Sequence, residues 1–208
     1  MNRFFVNLSG CSPNTDNNKK KILCLHGGGQ SVYFFKLALS DFSNDLEKDF
    51  EFIYADSPIN GNVWYKDKPG GKSSNIETDE NWANKSINYL DNLIKKNNIE
   101  IILAFSQGVP MSMVYISKKK NNIKKLILCN GYLPTTHLGL MNVIDKNTPI
   151  SIKTLIFLGK KDVNFYNLGL DLKKKFNNYI EIIGEFTEHS LPDKKYKSYD
   201  EIINFIKS

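Results

Sequence analysis

Six short apolar runs, at residues 21–25, 50–55, 99–104, 124–129, 154–158 and 179–183, alternate along this chain with stretches of helical periodicity. That alternation constrains the fold more than any single residue does. Runs such as Ile99-Glu100-Ile101-Ile102-Leu103 lack the regular polar–apolar alternation of a half-exposed strand and suit strands covered on both faces. Helices are predicted near 32–47, 79–97, 108–120, 164–176 and 198–207. In Ser86 to Ile94 the apolar residues recur at three- and four-residue spacing, as one buried helix face requires. Short connections between strands and helices predict an α/β fold: a mostly parallel, doubly wound central sheet with helices on both faces. With no internal repeat or linker, residues 1–208 read as a single domain, long enough to bury roughly 70% of the surface its unfolded chain exposes. Residues 1–20 read as an extension or an edge strand ending in a loop.

The stretch Ala104-Phe105-Ser106-Gln107-Gly108 carries the most chemistry. It joins an apolar strand to the helical run from Val109 to Ser117. A serine between small residues at such a turn is how a nucleophile elbow is built. Ala104 stands where the first glycine of G-x-S-x-G is usual, and is still small enough for the turn. Downstream, the strand 154–158 leads into Asp162, and the strand 179–183 leads to His189. Ser106, Asp162 and His189 thus follow the chain order Ser…Asp…His, which differs from the orders of chymotrypsin-like and subtilisin-like proteases. Each follows a predicted strand, where the active-site loops of a parallel sheet gather.

These residues resemble the α/β-hydrolase superfamily, and within it the small serine hydrolases of the FSH family. The resemblance is carried by His26-Gly27, Asp56-Ser57-Pro58, Phe105-Ser106-Gln107-Gly108, Asn130-Gly131-Tyr132, Asp162 and His189. It extends from about residue 21 to the C-terminus. The acyl-protein thioesterase and carboxylesterase group shares the Phe-Ser-Gln-Gly elbow. Around the last histidine, Glu188-His189-Ser190-Leu191-Pro192 keeps the histidine and the later proline but not the glycines usual before it in the FSH pattern. The resemblance implies an α/β-hydrolase fold and cleavage of a carboxylic ester through an acyl-enzyme. A depalmitoylase-like acyl thioesterase is the alternative, and a non-catalytic binding protein on the same fold a more distant one.

The expected roles follow from that chemistry. Ser106 is the nucleophile, His189 the general base and acid, and Asp162 the residue that orients the imidazole; Glu185 or Asp145 is the substitute acid if Asp162 points away. The backbone N–H of Gln107 is one oxyanion donor, with Gly28 or Gly29 supplying the second because glycine allows a close backbone approach. The Gln107 side chain is expected to pack or bond locally. His26 is expected to shape the glycine loop, and His137 to cap or enter a helix over the site. The segment 57–78, rich in Pro, Gly and Ser, reads as a lid or pocket loop. In it Trp64 and Tyr65 are candidate substrate-binding residues, or else Trp64 anchors the loop to the core. Tyr33-Phe34-Phe35 supplies either an opposite pocket wall or, as we favour, the buried face of the first helix.

Composition narrows the partners. The net charge is +6 with a pI near 9.0, yet of 28 basic residues only Arg3 is an arginine. The lysines are scattered over many element ends and no nucleic-acid motif accompanies them, so a solvated surface is expected and nucleic acid is not a partner. No metal-ligand spacing and no G-x-G-x-x-G fingerprint is present, so no metal or cofactor is expected. Three unpatterned cysteines, no signal-peptide core and no membrane-length apolar run point to a cytoplasmic protein acting on a small-molecule ester or thioester. Its oligomeric state is not encoded in any recognisable pattern.

Overall fold

The computed structural model describes residues 19–67 and 77–208. The reading of residues 1–18, Cys11 included, and the 68–76 portion of the proposed pocket loop lie outside the described residues. Among the described residues six strands form one sheet: β1 (Lys20–Leu25), β2 (Phe50–Ala55), β3 (Ile101–Phe105), β4 (Lys125–Cys129), β5 (Lys153–Gly159) and β6 (Tyr179–Gly184). Their order is β2-β1-β3-β4-β5-β6, and every pairing is parallel. All strand C-termini therefore open onto one edge of the sheet.

The central strands explain the unbroken apolar runs. Leu23, Leu25, Ile102, Ala104, Leu126, Leu128, Ile156 and Leu158 face one core cluster. Their neighbours Ile22, Cys24, Ile101, Leu103, Ile127, Cys129, Leu155 and Phe157 face the other. Successive side chains alternate between the two faces, and both faces are dry. On the first face pack α3 (Asn84–Asn97), α4 (Gly108–Lys118) and α5 (Leu138–Asp145). On the second pack α1 (Val32–Ala38), α2 (Ser40–Leu46) and α7 (Lys197–Lys207). In α3 the buried Ile87, Leu90 and Ile94 lie three and four residues apart, and Asn98 ends the helix in the left-handed conformation with φ 51°. This is the α/β-hydrolase fold.

Three element expectations need correction. The helix predicted over 32–47 is two helices meeting at Leu39, so that Phe35, Leu39, Phe42 and Leu46 all reach the core. The helix predicted from 79 starts at Asn84, because the Asp79 carboxylate accepts from the Asn81 N–H and holds the preceding residues in a turn. The helix predicted over 164–176 is only a short α6 (Tyr166–Gly169) followed by a 3-10 turn at Leu172–Lys175. There Gly169 sits so tightly that a Cβ would lie 2.4 Å from Leu158, so this segment is shaped by packing rather than by helix propensity.

Candidate active site

The elbow is built at the exit of β3. Ser106 has φ 52°, a left-handed conformation that costs a non-glycine residue on the order of 1–3 kcal/mol unless the surroundings hold it. They do: its N–H donates to the Cys129 carbonyl at 3.0 Å, and its carbonyl accepts from the Val109 N–H at 3.0 Å. The helix that follows crosses the end of β1 so closely that a Cβ on Gly108 would lie 2.5 Å from the Leu25 carbonyl oxygen. Glycine is therefore required there. Ala104, fully buried in β3, accepts its methyl group without disturbing the turn.

The loops after β5 and β6 bring the other two residues to Ser106. His189 Nε2 lies 3.0 Å from Ser106 Oγ, and His189 Nδ1 lies 2.5 Å from Asp162 Oδ2. With its proton on Nδ1, the imidazole donates to the carboxylate and accepts from the hydroxyl. Asp162 is buried, and its Oδ1 accepts from the Phe165 N–H at 3.1 Å. The Phe165 ring stacks on the imidazole, with centroids 4.4 Å apart, and Phe105 packs against it at 5.0 Å. Such a relay can take a proton from the serine as its oxygen attacks and return it to a leaving group. The substitute acids are elsewhere: Asp145 pairs with Lys175 and Glu185 with Lys160.

Asn130 holds the histidine loop in place, a role its sequence position alone does not reveal. It follows β4 with φ 46°. Its Oδ1 accepts from the Gly159 N–H at 2.6 Å, while its Nδ2 donates to the Ser190 carbonyl at 2.5 Å and, more weakly, to the Glu188 carbonyl at 3.4 Å. One amide thus ties β5 to both neighbours of His189. In the sequence it stood out as part of Asn130-Gly131-Tyr132, which carries the family resemblance, and as an asparagine before a glycine at a strand end, where asparagine tolerates positive φ; neither names its partners.

The two glycines proposed as oxyanion donors separate. The Gly29 N–H donates to the Asn62 carbonyl at 2.8 Å, so Gly29 is removed from the candidates. Gly28 N–H and Gln107 N–H have no partner among the described residues. They also lie close together, since a Cβ on Gly28 would be 3.4 Å from Gln107 Cβ.

The 57–67 segment is fastened to the elbow by long-range bonds. Gln107 Oε1 accepts from the Trp64 N–H at 2.9 Å and Gln107 Nε2 donates to the Tyr65 carbonyl at 3.0 Å, so the expectation of local bonding was wrong. Trp64 is 0% exposed, its Nε1 donates to the His26 carbonyl at 2.8 Å, and its own carbonyl accepts from Ser86. Of the two roles considered for Trp64, anchoring is the one its burial permits, and it is no substrate contact. Tyr65, also buried, packs edge-on to His137 at 4.9 Å. His137 enters α5 without capping it, because its Nε2 bonds instead to the Lys66 carbonyl. His26 is buried, with Nδ1 on the Gly27 carbonyl and its ring against Trp64. Burial lowers its pKa, outweighing the Gly27 hydrogen bond and the Asp56 charge, which act the other way. The favoured placement of Tyr33-Phe34-Phe35 fails for two of three: Phe35 is buried, but Tyr33 is 67% and Phe34 64% exposed.

Among the described residues no group of three or more His, Cys, Asp or Glu side chains is arranged to hold a metal ion, and no helix is long and apolar enough to cross a membrane. Fold and geometry together are those of an α/β hydrolase. The family model described as serine hydrolase (FSH1) matches residues 14–200. The chain belongs to that serine hydrolase family. An esterase of Didymella fabae is 42% identical over 50 residues, a stretch covering 24% of this chain and only 18% of that protein. Among solved structures, Arabidopsis thaliana SOBER1 superposes with a TM-score of 0.65 at 18% identity, covering 91% of this chain and 98% of that one. A carboxylesterase from Mesorhizobium loti gives 0.64 at 12% identity, covering 91% and 88%. At these identities the two structures speak for the fold.

Proposed function

We propose that this chain hydrolyses carboxylic esters of small molecules through an acyl-enzyme on Ser106. The observation that carries the reading is the continuous Ser106–His189–Asp162 relay beside two N–H groups that have no partner among the described residues. Ser106 Oγ attacks the carbonyl carbon while His189 Nε2 takes its proton and Asp162 stabilises the imidazolium. The N–H groups of Gln107 and Gly28 receive the oxyanion; losing one such donor typically raises a barrier by ~2.7–4 kcal/mol. His189 then protonates the departing alcohol, and a water molecule, activated by the same imidazole, releases the acid. A competing thiol nucleophile is disfavoured: burial pushes the Cys129 thiol up to about 12 and also raises that of Cys24. These unpaired buried thiols also support the proposed cytoplasmic location.

Intact mass after exposure to a fluorophosphonate probe tests the chemistry. One adduct on wild type, absent from Ser106→Ala, is expected. A folded wild-type protein that takes up no probe would overturn the reading. Matched oxygen and sulfur esters of one acyl group then separate esterase from thioesterase, with the oxygen ester expected to be hydrolysed at the higher kcat/KM.

A further inference from the structure

Hydrogen bonds fasten the main chain on both sides of the Gly28 N–H. The His26 carbonyl accepts from Trp64 Nε1 at 2.8 Å, and the Gly27 N–H of the same peptide donates to Gln30 Oε1 at 3.1 Å. The Gly27 carbonyl accepts from the Gln30 N–H at 3.1 Å and lies 2.7 Å from His26 Nδ1. One peptide further on, the Gly29 N–H donates to the Asn62 carbonyl at 2.8 Å.

The peptide between Gly27 and Gly28 is where these bonds reach the chemistry. It carries the Gly27 carbonyl at one end and the Gly28 N–H, the oxyanion donor, at the other. The peptide is trans, so the two groups point in opposite directions within one plane. Whatever fixes the carbonyl therefore fixes the line along which the N–H points. The peptide also lies against the elbow: a Cβ on Gly27 would be 3.1 Å from Ser106 Cβ, and one on Gly28 would be 3.4 Å from Gln107 Cβ.

His26 supplies the side-chain part of that hold. A carbonyl oxygen only accepts, so Nδ1 carries the proton that it shares with Gly27. Nε2 is buried with no partner, and an N–H there would be left unsatisfied. The fully buried ring rests against Trp64, with centroids 4.9 Å apart, and so has a fixed plane. Hydrogen bonds in series polarise one another. A donor on the carbonyl draws electron density from the peptide nitrogen and makes the N–H a better donor to an anion.

We propose that His26 is a positioning residue for the oxyanion site: its Nδ1–H grips the Gly27 carbonyl and, through the shared peptide, aims and strengthens the Gly28 N–H. This rests on the hydrolase reading above. His26 acts through the peptide, so its effect grows only as negative charge develops on the substrate oxygen.

The test compares wild type, His26→Leu and His26→Asn on one aryl butyrate and on two ketones of the same skeleton. Ser106 Oγ adds to the carbon of a trifluoromethyl ketone, the serine proton passes to His189 and the ketone oxygen becomes an alkoxide. The methyl ketone stays planar and neutral. Outright loss of an oxyanion donor typically costs about 10²–10³-fold in kcat, so a donor kept but loosened in His26→Leu should cost about ten- to thirty-fold, with KM little changed. The trifluoromethyl ketone should weaken by a similar factor, and the methyl ketone should bind as to wild type. His26→Asn, whose amide nitrogen can stand where Nδ1 does, should recover most of both losses. A folded His26→Leu with wild-type kcat, equal weakening of both ketones, or an asparagine variant as poor as the leucine one would each overturn the proposal. Nitrogen-15 NMR of the imidazoles in the wild-type protein at neutral pH needs no variant to fold: His26 should be protonated at Nδ1 and bare at Nε2, and a proton on Nε2 would overturn the proposal. Fluorophosphonate labelling of wild-type Ser106 reports on the hydrolase chemistry by itself. A labelled wild type beside an unimpaired His26→Leu would fail this proposal alone.

Discussion

The elbow at Ser106 and the segment at 57–67 touch through Gln107, yet they are built on different principles. The elbow's shape is written into contiguous residues: a strand, a small residue, a serine, a required glycine and a helix. The segment has no regular structure of its own and takes its place from bonds to groups roughly forty residues away, two of them to Gln107. A local motif can therefore be recognised before its surroundings are known. A loop that is held by main-chain contacts to distant partners cannot.

Gln107 belongs to both regions, so severing it tests the contrast most directly. Gln107→Ala leaves the buried Trp64 N–H and Tyr65 carbonyl unpaired, each costing about 1–3 kcal/mol. Urea unfolding should show a loss of about 2–4 kcal/mol, with Ser106 in the folded protein still open to fluorophosphonate. Unchanged stability would mean the loop stands without the clamp. A smaller effect on stability and a clearer one on rate are expected at the histidine loop. Asn130→Gly retains the freedom for positive φ but removes the amide that ties β5 to Glu188 and Ser190. A 1 Å misplacement of a reacting group can cost about 10²-fold, so kcat for a short ester should fall by tens of fold; wild-type turnover in the variant would show that the loop is placed without Asn130.

The least effect on stability is expected at His26, which sits between the two regions. Its folded pKa is lowered from 6.5, so on acidification the unfolded chain binds a proton that the folded protein resists. The stability it contributes is full above the unfolded value and is lost as pH falls from there towards the folded value. Urea midpoints at about pH 7.5 and about pH 5.5 should therefore diverge more in wild type than in His26→Asn. An equal divergence would mean that His26 titrates alike in both states.

Much of the architecture could be read from residue patterns because the parallel sheet is dry on both sides, which leaves uninterrupted apolar runs at β1, β3, β4 and β5. The positions of Ser106, Asp162 and His189 could be read because each follows a strand whose C-terminus opens on the same edge. What could not be read depends on partners far along the chain. Trp64 looks like a pocket residue until its Nε1 is seen on the His26 carbonyl. Tyr33 and Phe34 look like core until the kink at Leu39 shows which face of α1 is turned inward. Asn130 was visible only as part of the Asn130-Gly131-Tyr132 resemblance, which says nothing of the three backbone groups it reaches. Gly28 and Gly29 are equivalent in sequence and are separated by the Asn62 carbonyl, which takes the Gly29 N–H, and by the closeness of Gly28 to Gln107.

The clamp of Gln107 touches only main-chain atoms of residues 64 and 65, a carbonyl and an N–H that any pair of non-proline residues would present. The frame that holds this segment is thus indifferent to which side chains stand at 64 and 65. Either ring can be replaced while Gln107 keeps its grip, so the mount is independent of the parts fitted to it.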